Sequence, residues 1–126
     1  MADERIRDWA KTLETVELAA FSRARRRYLD RPSTKRLHML RTAARRLRSL
    51  YDDFRGVLHL RSSKRLGKVI ALTGEARDAA VLRKLLSSSL DAREMPAARS
   101  LMRELRRDER QGRKRVFRAL LRLRLK

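Results

Sequence analysis

An apolar seam between Lys35 and Arg55 constrains the fold more than any other feature of the sequence. Large apolar residues recur there at alternating steps of three and four, the spacing that places side chains on one face of an α-helix. The seam, which runs slightly past Arg55, contains Leu37, Leu40, Ala44, Leu47, Tyr51, Phe54 and Leu58. Because an apolar face must be covered, this helix has to pack against partner helices.

Basic residues form a second stripe on the same helix, beside the seam. At about 100° per residue, the stripe occupies roughly 100° of arc and contains His38, Arg41, Arg45, Arg48 and Arg55. A helix that needed only solubility would mix both signs of charge over its outer face, whereas Asp52 is the one acidic residue in this stripe. We therefore interpret the stripe as an anion site, with a solvated face as the weaker alternative.

Pro32 separates this helix, helix 2, from the helix before it. Helix 1 is expected from about Asp3 to Asp30, and Ser33 or Thr34 can cap helix 2. So short a connection predicts antiparallel neighbours. The seam of helix 1 is expected to contain Ile6, Trp9, Leu13, Val16, Ala20, Ala24 and Tyr28. Four arginines near its end, positions 23 and 25 to 27, suit either the helix dipole or a ligand.

The second half of the chain is predicted to form two more helices. Ser62 or Ser63 can cap helix 3, which continues to about residue 86 or 88. An irregular stretch follows, and Pro96 is expected at the first position of helix 4. The sequence therefore predicts one domain over residues 1–126 with an all-α fold, an antiparallel up-and-down bundle of four long helices.

Gly67 and Gly74 lie inside predicted helix 3. Each costs about 1 kcal/mol relative to alanine in a helix interior. Close approach of a neighbouring backbone or of a ligand would compensate for this cost.

Helix 4 has no large apolar residue between Leu105 and Val116. A buried helix does not normally lose its seam for nearly three turns, so this part is expected to border a polar cavity or solvent. It carries a second cationic stripe, for which a solvated face is an equal alternative: Arg103, Arg106, Arg110, Arg113 and Lys114. We expect the stripes of helices 2 and 4 to face a shared groove.

The charge of the chain predicts a polyanionic partner. Lysine and arginine number 35 against 15 acidic residues, which gives a net charge of +20 over 126 residues. Arginine greatly outnumbers lysine, and its planar fork suits phosphate oxygens.

The same composition argues against several other sites. The chain has no cysteine, which excludes disulfides and thiolate metal sites, and His38 and His59 lie far apart in register. We therefore expect neither a metal nor a cofactor. No signal-peptide pattern or long uncharged apolar run is present, so the protein is expected to be cytoplasmic and to have no membrane span.

Two motifs in this chain resemble those of a known family. In the first, His38 is followed three residues later by Arg41 and then by the basic cluster Arg45, Arg46 and Arg48. In the second, LTGEARDAAVL, a leucine and a glycine precede Arg77, Asp78 and an apolar pair. Both are similar to signatures of the CHAD domain (conserved histidine α-helical domain), and the resemblance extends over most of the chain.

The resemblance implies that the ligand is inorganic polyphosphate. Residues 38 to 48 would span about 15 Å of helix, enough to meet several phosphates in series. The expected polyphosphate-binding set is His38, Arg41, Arg45, Arg46, Arg48, Arg77, Arg106, Arg110, Arg113 and Lys114, with Asp78 orienting a nearby arginine. For the Arg77 and Asp78 pair, interhelical salt bridges are an equal alternative. The family usually has a second acidic residue two positions after the first, and Ala80 in its place leaves a metal role without support.

Members of the family usually have about twice this length and contain two similar four-helix bundles around a basic centre. The resemblance therefore implies a homodimer, with a monomer that has an open basic face as the alternative, and a location at polyphosphate granules in the cytoplasm. Non-specific nucleic-acid binding is the alternative function, although helix-turn-helix, zinc-finger and aromatic stacking patterns are absent from the sequence. An enzyme is not expected, because the sequence contains no Gly-rich phosphate loop and no alternating acidic residues with a lysine. The basic tail could lie on an anionic membrane, but its regular seam favours the bundle core.

Overall fold

Four α-helices follow one another along the chain. They are α1 (Ala2–Asp30), α2 (Thr34–Asp53), α3 (Ser63–Ser89) and α4 (Arg99–Arg122). They belong to a computed structural model that describes residues 2–60 and 63–125. The all-α fold predicted from the sequence is confirmed.

Consecutive helices pack against each other in opposite directions. α1 packs on α2, α2 on α3, and α3 on α4. Between α2 and α3, the Arg41 side chain lies beside Gly74 and the Arg48 side chain lies beside Gly67, so residue numbers rise along α2 while they fall along α3. This gives an up-and-down bundle in which α2 and α3 are the two inner members of the packing order.

The cap of α2 agrees with the sequence. Ser33 is the N-cap residue, and its side chain accepts a hydrogen bond from the backbone N–H of Arg36 at 3.1 Å. That bond satisfies one of the amide groups that have no partner within the first turn of a helix. At the start of α3, Ser63 is already helical, and the alternative cap Ser62 lies outside the described residues.

The start of α4 differs from the expectation. Pro96 lies in a turn segment, and α4 begins at Arg99. The carboxylate of Asp91 accepts hydrogen bonds from the backbone N–H groups of Arg93 and Glu94, at 2.9 Å and 3.0 Å. A side chain that caps this turn stabilises it as a separate unit, so the proline falls inside the connection.

The seam of α2 forms the centre of the core, as predicted. Leu40, Ala44 and Leu47 are fully buried, and Leu37 and Tyr51 nearly so. The largest buried side chains of the other helices are Phe21, Tyr28, Leu66, Val69, Val116 and Leu120. Each fully buried side chain of this size contributes roughly 1.5–3 kcal/mol relative to an exposed one.

The expected seam of α1 is wrong over its N-terminal half. Trp9 and Val16 are 59% and 55% exposed, whereas Ala10, Glu14 and Phe21 are buried. Ala10, Glu14 and Phe21 each follow a predicted seam residue by one position, so at about 100° per residue the buried stripe is rotated by roughly 100° from the predicted one. Its polar member, Glu14, is held in the core by a hydrogen bond from the Tyr51 hydroxyl to the glutamate Oε2, at 2.5 Å.

Candidate functional site

The basic stripe of α2 is divided between the two helices that flank α2. His38, Arg45 and Arg46 line grooves that α2 forms with α1. Arg41 and Arg48 instead lie against α3. The division arises because α2 is covered on both sides, so residues that share a narrow arc of the helix meet different neighbours.

Two adjoining grooves run between α1 and α2, with volumes of about 670 Å³ and 350 Å³. Glu17, Thr42 and Arg46 line both of them, so we treat them as one surface, the α1–α2 groove. One end lies at Trp9 and Phe54, whose rings meet edge to face with centroids 5.6 Å apart. Its cationic lining is Arg23, Arg27, His38, Arg45 and Arg46.

The arginine cluster at the end of α1 contributes to this groove. Arg23 and Arg27 are spaced four residues apart, so they share the helix face that meets His38 and Arg46. Arg25 points elsewhere: its Nη2 donates a hydrogen bond to the carbonyl of Leu120 in α4, and burial lowers the pKa of its guanidinium. The sequence left the role of the cluster open between the helix dipole and a ligand, and it did not show that Arg25 would instead bond to a carbonyl of α4.

Arg41 and Arg48 occupy the space that two glycines of α3 leave open. A Cβ atom at Gly74 would lie 2.8 Å from Arg41 Nη1, and one at Gly67 would lie 3.1 Å from Arg48 Nη1. Arg41 Nη1 also donates a hydrogen bond to the Ile70 carbonyl at 3.1 Å. The close neighbour of each glycine within the protein is therefore an arginine side chain of α2, and not the backbone of a neighbouring helix.

Arg77 and Asp78 lie on the exposed surface of α3. None of the ion pairs between described residues includes either of them, so the structure gives no support to the alternative of interhelical salt bridges. The orienting role of Asp78 toward a nearby arginine stays a prediction.

The cationic residues of α4 line other grooves. Arg106 borders a groove of about 460 Å³ beside Pro96. Arg110, Arg113 and Lys114 border one of about 300 Å³ beside Pro32. The structure thus separates the stripes of α2 and α4, in place of the shared groove that the sequence suggested.

The middle of α4 keeps a buried stripe although it has no large apolar residue. Glu109 is buried, and its carboxylate accepts a hydrogen bond from Arg83 Nε of α3. At Gly112 a Cβ atom would lie 3.2 Å from the Ala76 Cα atom, so the two backbones approach closely. The expected polar cavity or solvent boundary is therefore wrong at these inward positions, which pack against α3.

Two further observations concern metal sites and membrane spans. Among residues 2–60 and 63–125, no three histidine or acidic side chains are grouped so that they could hold a metal ion. Within the same residues, no helix is long and apolar enough to cross a membrane.

The sequence matches the family model of the CHAD domain over residues 3–126. The chain belongs to the CHAD family. CHAD domains are associated with polyphosphate binding, which is consistent with a groove lined by a histidine and four arginines. Comparison with curated proteins and with solved structures finds no match. In this CHAD chain the hallmark motif is split, because His38 lies in the α1–α2 groove while Arg41 lies against α3.

Proposed function

We propose that this protein is an inorganic polyphosphate-binding module without catalytic activity, and that its α1–α2 groove is the binding surface. The observation that carries the proposal is that the groove of a CHAD chain gathers the family histidine, His38, with arginines from two helices. Polyphosphate has neither bases nor sugars. A concave surface with cationic forks in series meets its main requirement, which is neutralisation of successive phosphates.

Binding would proceed through charge-assisted hydrogen bonds and the release of condensed counterions. Arg23 and Arg27 face the ligand from α1, while His38, Arg45 and Arg46 face it from α2. When arginines bind the phosphates, they displace the counterions condensed on the phosphate chain. The affinity for polyphosphate should therefore fall steeply as the salt concentration rises. Two carboxylates, Glu17 and Asp53, also line the groove, so a chain is expected to follow its cationic wall.

His38 gives the proposal a specific test. The imidazole is exposed at the groove, where a ring N–H can donate a hydrogen bond to a phosphate oxygen. We expect His38→Ala to bind polyphosphate more weakly than the wild type, and an unaltered affinity in this variant would defeat the assignment.

The test is a competition assay with matched variants. Labelled long-chain polyphosphate is displaced by unlabelled polyphosphate, duplex DNA or RNA at about 0.15 M salt. A groove variant removes three charges from the site: Arg23→Gln, Arg27→Gln and Arg46→Gln. A surface control variant removes three from exposed positions outside the grooves described above: Arg5→Gln, Arg93→Gln and Arg107→Gln.

The groove variant should bind polyphosphate at least roughly tenfold more weakly than the surface control variant, because each lost charged hydrogen bond costs about 1.5–3 kcal/mol. Nucleic acids should displace polyphosphate only at large excess. Equal losses in the two variants, or equal displacement by all polyanions, would reduce the function to general electrostatics and favour non-specific nucleic-acid binding instead.

We further propose a homodimer in which the α1–α2 faces of two copies meet, so that the basic grooves adjoin. Apolar side chains on the same side of α1 support this arrangement, since Ile6, Trp9 and Val16 are 47%, 59% and 55% exposed beside the groove. Two chains of +20 repel each other, and such contacts together with a bound polyanion would offset the repulsion.

Sedimentation with and without polyphosphate tests the dimer. Val16→Glu should shift the protein to a monomer, whereas Leu85→Glu, at an exposed apolar position on α3, should leave the dimer intact. A wild-type protein that sediments as a monomer under both conditions would refute the arrangement. In cells, we expect a fluorescent fusion to be cytoplasmic and to coincide with polyphosphate granules.

A further inference from the structure

A groove between α3 and α4 forms a second cationic surface, at the opposite side of the packing order from α1. Its volume is about 680 Å³, similar to the larger part of the α1–α2 groove. We call it the α3–α4 groove, and its cationic lining is Arg65, Lys68, Arg115, Arg118, Arg122 and Arg124. None of these residues was in the set predicted from the sequence.

The charge in this groove is of one sign. Residues 63–74 of α3 and residues 110–125 of the chain contain no aspartate or glutamate. The α1–α2 groove, by contrast, includes the carboxylates of Glu17 and Asp53. Low-dielectric walls lined by one sign of charge concentrate the electrostatic potential, so the α3–α4 groove should attract anions at least as strongly.

The helix dipoles do not account for all of these cations. Arg65 Nη1 donates a hydrogen bond to the Arg122 carbonyl at 3.2 Å, which is a stabilising arrangement at the end of α4. Lys68, however, is the sixth residue of α3 and lies beyond the first turn, to which the dipole effect is confined. Arg115 lies about two turns before the end of α4, beyond the reach of the dipole effect. A ligand gives these charges a role that helix stability does not.

The spacing along α4 suits an extended anion. Arg115, Arg118 and Arg122 are three and four residues apart, so they lie on one face of the helix. At about 1.5 Å per residue, they cover about 10 Å of its length. All three are exposed. Consecutive phosphates of a chain can therefore meet several guanidinium groups without rearrangement of the helix.

We propose that the α3–α4 groove is a second binding site for phosphate chains, separate from the α1–α2 groove. The proposal rests on polyphosphate as the ligand of this protein, but it does not depend on which groove binds more tightly. One bundle would then carry two binding surfaces. A chain long enough to reach both would gain affinity because its second contact is intramolecular, whereas a short oligophosphate would occupy the two sites independently.

Calorimetric titration of the intact chain with tripolyphosphate counts the sites. A second variant, the α3–α4 variant, carries Lys68→Gln, Arg115→Gln and Arg118→Gln, which keep part of the aliphatic stems at exposed positions. Circular dichroism establishes that each variant keeps its helical fold. The wild type and the surface control variant should bind two tripolyphosphates per chain, and the α3–α4 variant should bind one. Long-chain polyphosphate should bind the α3–α4 variant roughly a hundredfold more weakly than the wild type.

The outcomes separate the two proposals. If the α3–α4 variant binds as many tripolyphosphates as the surface control variant, the second site is refuted, whatever the groove variant does. If the groove variant, which alters the α1–α2 groove, still binds as many tripolyphosphates as the wild type, and the α3–α4 variant binds fewer, the second site stands and the α1–α2 assignment fails. A parallel arm uses phosphatidylglycerol vesicles, because a lipid headgroup presents the same phosphate chemistry. Vesicle binding that the α3–α4 variant loses, with tripolyphosphate binding unchanged, would overturn the proposal in favour of a membrane surface.

Discussion

Replacing Gly74 with alanine would put a methyl group where the guanidinium of Arg41 now lies. The added Cβ atom would be 2.8 Å from Arg41 Nη1, which is too close for a real contact. The flexible arginine can move more easily than the α3 backbone, so we expect its guanidinium to be displaced. The hydrogen bond from Arg41 Nη1 to the Ile70 carbonyl would then be lost.

Two effects of opposite sign decide the change in stability. Alanine is favoured over glycine by about 1 kcal/mol inside a helix. A hydrogen bond from a charged group contributes about 1.5–3 kcal/mol, and the low end applies because Arg41 is only partly buried. The Ile70 carbonyl is not left without a donor, since the Thr73 hydroxyl also donates to it at 2.7 Å. We therefore expect Gly74→Ala to lower the free energy of unfolding by about 0.5–1 kcal/mol.

A double-mutant cycle isolates the contact. In an Arg41→Ala background the added methyl meets no guanidinium, so Gly74→Ala should raise the free energy of unfolding by about 1 kcal/mol. Urea unfolding of the four proteins measures both steps, provided that the slope with denaturant is unchanged. The reasoning is refuted if Gly74→Ala has the same effect in both backgrounds within about 0.5 kcal/mol. Gly67→Ala is the matched control, because its neighbour Arg48 Nη1 is farther away, at 3.1 Å.

Two further predictions concern the packing of the bundle. Gly112→Ala should destabilise the protein by up to about 2 kcal/mol in urea unfolding, because overpacking against the Ala76 backbone outweighs the gain in helix propensity. A stabilised variant would contradict the close approach of α3 and α4. Tyr51→Phe should flatten the loss of stability at high pH. Burial, and then the hydrogen bond to Glu14 and its charge, raise the pKa of Tyr51 in the folded state, so its stabilising contribution is complete below about pH 10 and is lost as pH rises further. Thermal unfolding of the wild type and of Tyr51→Phe between pH 9 and pH 12 checks this. If the melting temperature falls equally steeply with pH in both proteins, the prediction is wrong.

The number and direction of the helices could be predicted from the sequence because their signals are local. Alternating steps of three and four fix a helical face, and Pro32 and Ser33 mark a boundary through backbone sterics and a single hydrogen bond. The rotation of α1 could not be predicted, because it depends on a contact with another helix and not on a local signal. Trp9 and Val16 are apolar and Glu14 is not, but a tertiary hydrogen bond from Tyr51 reverses the expected burial.

The buried stripe of α4 shows the same limit. Leu105, Glu109, Gly112 and Val116 continue the spacing of three and four, so the stripe was visible in the sequence as positions but not as apolar residues. A glutamate becomes an inward residue only when its partner, Arg83, is brought across from α3. A glycine becomes one only where a second backbone approaches it. Both conditions are tertiary.

The role of an individual arginine is the hardest property to predict in a chain of this charge, because the same type of side chain serves both the fold and the ligand. Arg25, Arg41 and Arg65 donate hydrogen bonds to carbonyls of neighbouring helices, so their removal would weaken helix packing as well as reduce charge. An alanine scan of the basic residues would therefore mix losses of stability with losses of binding. A displaced guanidinium with its charge retained, as in Gly74→Ala, separates the two effects at Arg41. If polyphosphate binding falls there without a change in net charge, the position of that guanidinium matters to the ligand, and if it does not fall, Arg41 serves helix packing alone.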